Sequence, residues 1–91
     1  FEDASISEFD KSAIKAYPIP SNGDLTIETE HLKGKKANLY VYDVLGKIIW
    51  NRTIQSIGTK QQIQLNDLNA GSYLMTVESE GQIYRRKIVL N

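Results

Sequence analysis

The chain alternates apolar and polar residues in short runs, and turn-forming residues interrupt it about every ten positions. In one run, Leu25 and Ile27 alternate with Thr26 and Glu28. A period of two places the apolar side chains on one face of a β-strand. Short strands at this spacing predict an all-β fold, an immunoglobulin-like β-sandwich of about seven antiparallel strands. The predicted strands cover residues 13–17, 24–29, 37–42, 47–54, 60–65, 72–79 and 82–90.

The apolar residues that share one face of these strands form the predicted core. Burial of each large apolar side chain stabilises a fold by about 1.5–3 kcal/mol. Trp50 is the largest of these side chains, and we expect it to contribute most to the packing. The predicted core comprises Leu25, Ile27, Leu39, Val41, Ile48, Trp50, Ile63, Leu65, Tyr73, Met75, Val77, Tyr84, Ile88 and Leu90.

Two turns contain residues whose backbone preferences suit a tight hairpin. Residues 43–46 join two strands, and aspartate at such a position accepts hydrogen bonds from nearby backbone amides. Glu80 and Gly81 join the last two strands, where glycine readily adopts the positive φ of a two-residue hairpin turn. We therefore expect two antiparallel hairpins, with Asp43 in a structural role.

The composition narrows the classes of function. The 91 residues include eleven basic and eleven acidic side chains, so the chain lacks the basic excess that is typical of nucleic-acid-binding proteins. Without cysteine, it cannot form a disulfide, a zinc–thiolate site or a thiol nucleophile. Because His31 is the only histidine, neither a catalytic triad nor a multi-histidine metal site can be assembled. We expect no catalytic residues, cofactor, metal, nucleic-acid partner or small-molecule substrate.

The first twelve residues differ in character from the rest of the chain. Residues 1–12 are acidic and rich in serine, and they lack a sustained apolar period. We interpret them as a linker or as the tail of a preceding domain. The β-sandwich domain is predicted to occupy residues 13–91.

A basic cluster interrupts the last predicted strand. In an extended strand, Arg85 and Lys87 point to one face and Arg86 to the other. Cations of this kind protect an edge strand from pairing with another sheet. The same cations, together with the short apolar end that follows them, would also suit a recognition tail that a receptor reads partly through its main chain. The residues alone leave both interpretations open.

Four motifs follow one another in a fixed order along the chain. Tyrosine and two prolines precede a glycine and an alternating strand, and a later strand ends in aspartate, two further residues, glycine and lysine. A leucine and a short turn then precede glycine, one residue and tyrosine, and a lysine followed by three apolar residues comes just before the final asparagine. Over residues 13–91 this order resembles the type A C-terminal sorting domains of the type IX secretion system of Bacteroidetes. Ile19 departs from the family pattern, in which asparagine is usual. The resemblance is carried by Tyr17, Pro18, Pro20, Ser21, Gly23, Leu25, Ile27, Leu39, Val41, Tyr42, Asp43, Gly46, Lys47, Leu65, Leu68, Gly71, Tyr73, Met75, Val77, Lys87, Ile88, Val89 and Leu90.

The resemblance implies that this domain is the C-terminal address of a larger exported protein. Such a precursor would cross the inner membrane and present the sandwich to the type IX outer-membrane translocon from the periplasm. A sortase-like peptidase would then cut in or before residues 1–12, and the cargo would reach the cell surface or the medium. For translocon recognition the resemblance points to Lys87, Ile88, Val89, Leu90, Asn91, Pro18, Pro20 and Gly23. For maintenance of the fold it points to Tyr17, Asp43, Gly46, Lys47, Gly71 and Tyr73.

A second interpretation is an accessory module of an extracellular enzyme that binds carbohydrate or peptide. Modules of this kind expose aromatic side chains along one face of a sheet. Tyr40, Tyr42 and Tyr84 are the residues that would form such a platform here.

Overall fold

The computed structural model describes residues 14–29 and 31–91, and its regular structure consists of seven β-strands. The predicted linker at residues 1–12 and the first residue of the first predicted strand, Ala13, lie outside the described residues. The predicted strands are present, with ends close to the predicted ones. The strands are β1 (Lys15–Tyr17), β2 (Asp24–Glu28), β3 (Ala37–Tyr42), β4 (Ile48–Ile54), β5 (Lys60–Gln64), β6 (Gly71–Ser79) and β7 (Gln82–Leu90).

The strands form two sheets, which confirms the predicted all-β, immunoglobulin-like sandwich. One sheet has three strands in the order β1-β2-β5, and the other has four in the order β4-β3-β6-β7. Each pair of neighbouring strands is antiparallel. Strand β7 is therefore an edge strand of the four-stranded sheet, next to β6.

The core fills the space between the two sheets and largely matches the prediction. The side chains of Ile27, Leu39, Val41, Met75, Val77 and Ile88 are completely buried. Trp50 and Tyr73 are only partly buried, although both pack against the core. Ile48 was placed in the core by strict alternation, and this placement is wrong, because its side chain is 46% exposed.

A β-bulge in the β3–β4 hairpin explains the exposure of Ile48. Val41 lies opposite Trp50, yet the next residue, Tyr42, lies opposite Ile48. The extra residue, Ile49, shifts the register by one, and such a shift moves the following side chains to the other face of the sheet. Ile48 therefore shares the outer face with Tyr42.

Four buried apolar residues were not predicted as part of the core: Ile14, Leu32, Ala37 and Ile57. Leu32 and Ile57 belong to loops at one end of the sandwich. These loops are joined by backbone hydrogen bonds from Gly34 N to Ile57 O at 2.7 Å and from Ile57 N to Lys35 O at 2.9 Å. The loop from His31 to Lys36 reads as polar in sequence, but Leu32 anchors it to the core.

Both predicted hairpin turns are confirmed. In the β3–β4 turn, one carboxylate oxygen of Asp43 accepts hydrogen bonds from the backbone amides of Leu45 at 2.9 Å and Lys47 at 3.0 Å. In the β6–β7 turn, Glu80 and Gly81 have φ values of 53° and 79°. Positive φ at both central residues is the geometry of a type I′ turn, whose twist matches that of the flanking strands.

Candidate recognition site

The proline-containing loop at residues 18–23 and the end of β7 lie directly against each other. The backbone amide of Ser21 donates to the carbonyl oxygen of Val89 at 2.8 Å, and the amide of Asn91 donates to the carbonyl oxygen of Ser21 at 2.8 Å. These bonds make an isolated parallel bridge between Ser21 and Leu90. The two segments predicted for recognition are thus joined by backbone hydrogen bonds, although about seventy positions separate them in the sequence.

Ser21 fixes the shape of the loop, although the sequence interpretation assigned it no individual role among the site residues. It is 1% exposed, and its hydroxyl donates to the carbonyl oxygen of Asp24 at 2.6 Å while accepting from the amide of Gly23 at 3.1 Å. Serine side chains commonly bond to a backbone amide two residues further on in turns. A serine just ahead of Asn22 and Gly23 was the available sequence signal.

Gly23 is required by both backbone conformation and space. Its φ is 117°, a region that residues with a side chain rarely adopt. A Cβ atom at this position would overlap Oδ1 of Asn66 and lie 3.3 Å from the Asn66 Cα. The carbonyl of Gly23 also accepts a hydrogen bond from the amide of Leu65 at 2.7 Å, so the loop is tied to the segment after β5. Its evident role is to shape the loop.

The residues at the end of β7 divide between the two faces of the sheet. Ile88 and Leu90 are buried in the core at 0% and 4% exposure. Lys87 and Val89 alternate with them on the outer face, where Lys87 is exposed and Val89 partly buried, and Asn91 is exposed beyond the strand. In the folded domain, the surface of the tail therefore consists of Lys87, Val89 and Asn91.

The basic cluster on β7 has the predicted alternation. Arg85 and Lys87 are exposed on the outer face, whereas Arg86 is partly buried on the inner face. The Nε of Arg86 donates to the carbonyl oxygen of Ile14 at 3.1 Å, which ties the start of the described chain to β7. The exposed pair fits the expectation of a charged edge strand.

The residues just ahead of Ser21 are exposed. Tyr17 is 37% exposed and Ile19 is 44% exposed, and Pro18 and Pro20 are exposed as well. The Tyr17–Pro18 and Ile19–Pro20 peptide bonds are cis. Ser21 follows Pro20 directly, so the backbone at the end of this segment is tied to the end of β7.

The remaining family-motif residues mainly support the end of the sandwich where the tail lies. Gly71 is opposite Leu90 in the β6–β7 pair, and Tyr73 is opposite Ile88. The hydroxyl of Tyr73 donates to the carbonyl oxygen of Asn69 at 2.6 Å, across the turn that leads into β6. In the β3–β4 turn, Gly46 has a φ of 85° and Lys47 is exposed. Gly71 and Tyr73 thus take part in strand pairing and a turn, and Gly46 shapes the β3–β4 turn.

The aromatic platform of the second interpretation is not formed. Tyr40 and Tyr42 lie on the outer face with ring centroids 6.3 Å apart and ring planes at 41°. Tyr84, the third predicted member, is only 3% exposed and belongs to the core, where its ring packs edge-on against His31 at 5.1 Å. Its placement on the platform is wrong, because alternation along β7 turns it inward, opposite Val77.

The ionisable groups do not gather into a reactive cluster in the part of the chain that the structure describes. Within residues 14–29 and 31–91, no group of three or more histidine, aspartate or glutamate side chains could hold a metal ion. One ion pair is present among these residues, between Lys35 and Glu80 at 3.0 Å, and it is largely exposed. The described residues also contain no helix that could cross a membrane.

Comparison with known families gives one match. The family model described as "Secretion system C-terminal sorting domain" matches residues 15–91, from the first residue of β1 to the last residue of the chain. The matched range includes the loop at residues 18–23 and the whole of β7. No curated protein matches the chain.

Proposed function

The chain belongs to the family of C-terminal sorting domains of the type IX secretion system, and from this premise we propose how it is recognised. The family is one of sorting signals on exported proteins and is not catalytic. Its members act together with the secretion system and are attached to an upstream cargo. The proposal concerns the surface that is read and the steps that follow.

The proposed route has two stages. The precursor folds in the periplasm, and this domain presents the precursor to the outer-membrane translocon. A sortase-like peptidase then cuts in or before residues 1–12, and the cargo is left at the cell surface or in the medium. An acidic, serine-rich segment suits cleavage, because ordered strands resist entry into a protease cleft.

The proposed recognition surface consists of the loop at residues 18–23 together with the exposed residues of the tail. The observation that carries this proposal is the pair of 2.8 Å hydrogen bonds by which Ser21 joins Val89 and Asn91. They hold the backbone of the loop against the backbone of the tail. A receptor that binds a pre-ordered surface loses less conformational entropy than one that must order a free peptide.

The tail residues that the family motif suggested for recognition divide into two groups by the exposure of their side chains. Lys87, Val89 and Asn91 are proposed to contact the translocon, because they are at least partly exposed. Ile88 and Leu90 are proposed to hold β7 in the sheet, since their side chains are buried. Removal of residues 87–91 would therefore disturb recognition and folding together, so point substitutions are the sharper test.

The test uses a reporter with its own export signal, fused ahead of this 91-residue chain in a bacterium with a type IX system. Lys87→Ala combined with Asn91→Ala is expected to leave reporter in the periplasm. Lys60→Ala combined with Asn69→Ala removes the same two side-chain types at exposed positions elsewhere and is the matched control. Fractionation into periplasm, surface and medium gives the result. Equal surface delivery of both double variants would contradict the proposed role of the tail.

We also propose that this domain catalyses no reaction and needs no cofactor or metal. The proposal is supported by the non-catalytic character of the family. Structural roles account for the aspartate and tyrosine of the motif, Asp43 in the hairpin turn and Tyr73 at the start of β6.

A further inference from the structure

The outer face of the four-stranded sheet carries a continuous apolar row. In the register of the sheet, Lys87 lies opposite Leu74, Leu74 opposite Tyr42, and Tyr42 opposite Ile48. Neighbouring strands are about 4.8 Å apart, so this row crosses the sheet over roughly 14 Å. Leu74 and Ile48 are 38% and 46% exposed. The register thus places one cation at the β7 end of an otherwise apolar row.

The outer face of the other sheet provides an internal comparison. In antiparallel sheets, the face that does not contact the core is usually polar. The three-stranded sheet follows this rule, because Asp24 lies opposite Gln64 and Thr26 opposite Gln62. The apolar row on the four-stranded sheet is therefore a local property of that face.

The turn between β3 and β4 extends the apolar surface beyond the sheet. Val44 and Leu45 are 82% and 88% exposed. Val44 lines one groove together with Tyr42, Ile48 and Leu74, and Leu45 is the next residue of the same turn. Cross-strand packing within the sheet gives Tyr42 and Leu74 a structural use. Val44 and Leu45 remain almost wholly in water, so they contribute little to folding. Exposed apolar groups gathered on one face mark a surface that binds another molecule.

The charges on this face indicate the chemistry of the bound molecule. Arg85 and Lys87 are exposed along β7, and neither belongs to the one ion pair within residues 14–29 and 31–91. Two carboxylates also line the groove. Asp43 already accepts hydrogen bonds from two backbone amides of its turn, and Glu78 lies opposite Ile83, farther along the sheet than the pair of Leu74 and Lys87. A complementary surface would place carboxylates opposite β7 and apolar groups opposite Leu74 and the turn. Only two cations flank the row, and the formal net charge of the chain is zero. A surface with so little positive charge would be attracted only weakly to an anionic membrane. These features favour a protein partner.

We propose that this outer face docks on a receptor protein of the export machinery. The receptor would present an apolar patch bordered by carboxylates. The inference rests on the proposed function and adds to it a second contact surface, centred on Val44, Leu45, Ile48 and Leu74. Lys87 lies on this face and belongs to the tail, so the two surfaces adjoin. Docking buries Val44 and Leu45, and charge pairing with Arg85 sets the orientation.

The test uses the same reporter fusion with Val44→Ser combined with Leu45→Ser. The turn itself should persist, because backbone amides and the Asp43 carboxylate hold it. Loss of two buried apolar side chains from an interface lowers affinity by about tenfold or more, so surface reporter is expected to fall to that extent. Arg85→Glu is expected to act in the same direction, whereas Gln62→Glu on the polar face is the control. The thermal midpoint of each purified 91-residue variant should stay at the wild-type value.

Each result decides a different question. Full surface delivery by the Val44→Ser, Leu45→Ser fusion, with the wild-type fusion also delivered, would overturn this inference alone. Failure of the wild-type fusion to leave the periplasm would overturn the proposed function and this inference with it. Sedimentation of the purified chain as a dimer that Leu45→Ser dissociates would assign the face to self-association instead. Leu45-dependent binding to vesicles of anionic phospholipid would assign it to a membrane, and either result would overturn a receptor contact.

Discussion

Truncation of Ile88 separates the structural part of the tail from its exposed part. The Ile88 side chain is 0% exposed and lies between the sheets, opposite Tyr73 in the β6–β7 pair. Ile88→Ala removes buried methyl groups and leaves a cavity, which costs about 2–5 kcal/mol. The neighbouring substitution Lys87→Ala changes an exposed side chain and is expected to cost less than about 0.5 kcal/mol.

The expected loss is large compared with the stability of a domain of this size. At about 0.05–0.15 kcal/mol per residue, the described fold is stable by roughly 4–12 kcal/mol. Each kcal/mol corresponds to about 4–8 °C in the thermal midpoint of such a domain. Ile88→Ala should therefore lower the midpoint by at least about 8 °C, and Lys87→Ala by no more than about 4 °C.

Thermal unfolding can be followed with two independent probes, circular dichroism of the β-structure and fluorescence of Trp50, the single tryptophan. Coincident transitions would justify the two-state treatment.

Export adds a second readout. Well below its midpoint, the Ile88→Ala fusion should be delivered normally, whereas the Lys87→Ala fusion should be impaired at every temperature. Equal midpoints for Ile88→Ala and wild type would refute the packing argument.

Three further predictions concern the turns that shape the fold, and each is measured as a shift in chemical denaturation. Gly23→Ala should destabilise the chain by about 1–3 kcal/mol, because it introduces strain at positive φ and overlap with Asn66. Adding Asn66→Gly should recover only the part of the loss that is due to the overlap. Full recovery of stability would contradict the strain at Gly23. Asp43→Ala should lower the free energy of unfolding by about 0.5–2 kcal/mol. Asp43→Asn should lower it less, because the side-chain amide oxygen of asparagine still accepts hydrogen bonds. Equal losses for the two variants would contradict this prediction. Glu80→Asn should stabilise the chain by about 0.5–1 kcal/mol, because Asn-Gly suits a type I′ turn. The exposed ion pair between Lys35 and Glu80, which this substitution removes, contributes little to stability. A loss of stability would contradict this prediction.

The strands could be predicted because period-two alternation and turn residues are local signals. Leu39 and Val41 illustrate this, since both are buried as their pattern indicates. Two of the errors illustrate the physical causes. Ile48 was misplaced because a single extra residue shifts the register, and nothing in the apolar run from Ile48 to Trp50 marks where the bulge occurs. Leu32 was missed because a lone apolar residue in a polar loop shows no period.

The contact between loop and tail could not be predicted from the pattern, because it depends on how the two sheets are joined. The sequence suggested the loop and the tail separately, through the family motif. Their junction depends on backbone groups of Ser21, Val89 and Asn91, and backbone hydrogen bonds leave no trace in residue type. The outer apolar row likewise became visible only once the register placed Leu74 beside Tyr42.

The central claim is that this folded chain is sufficient to route a passenger through the type IX system. It is tested most directly by fusing the complete chain to a periplasmic reporter and measuring the surface and medium fractions in matched strains with and without the translocon. The account predicts export in the strain that has the translocon and retention in the periplasm of the strain that lacks it. The same distribution of reporter in both strains would contradict it.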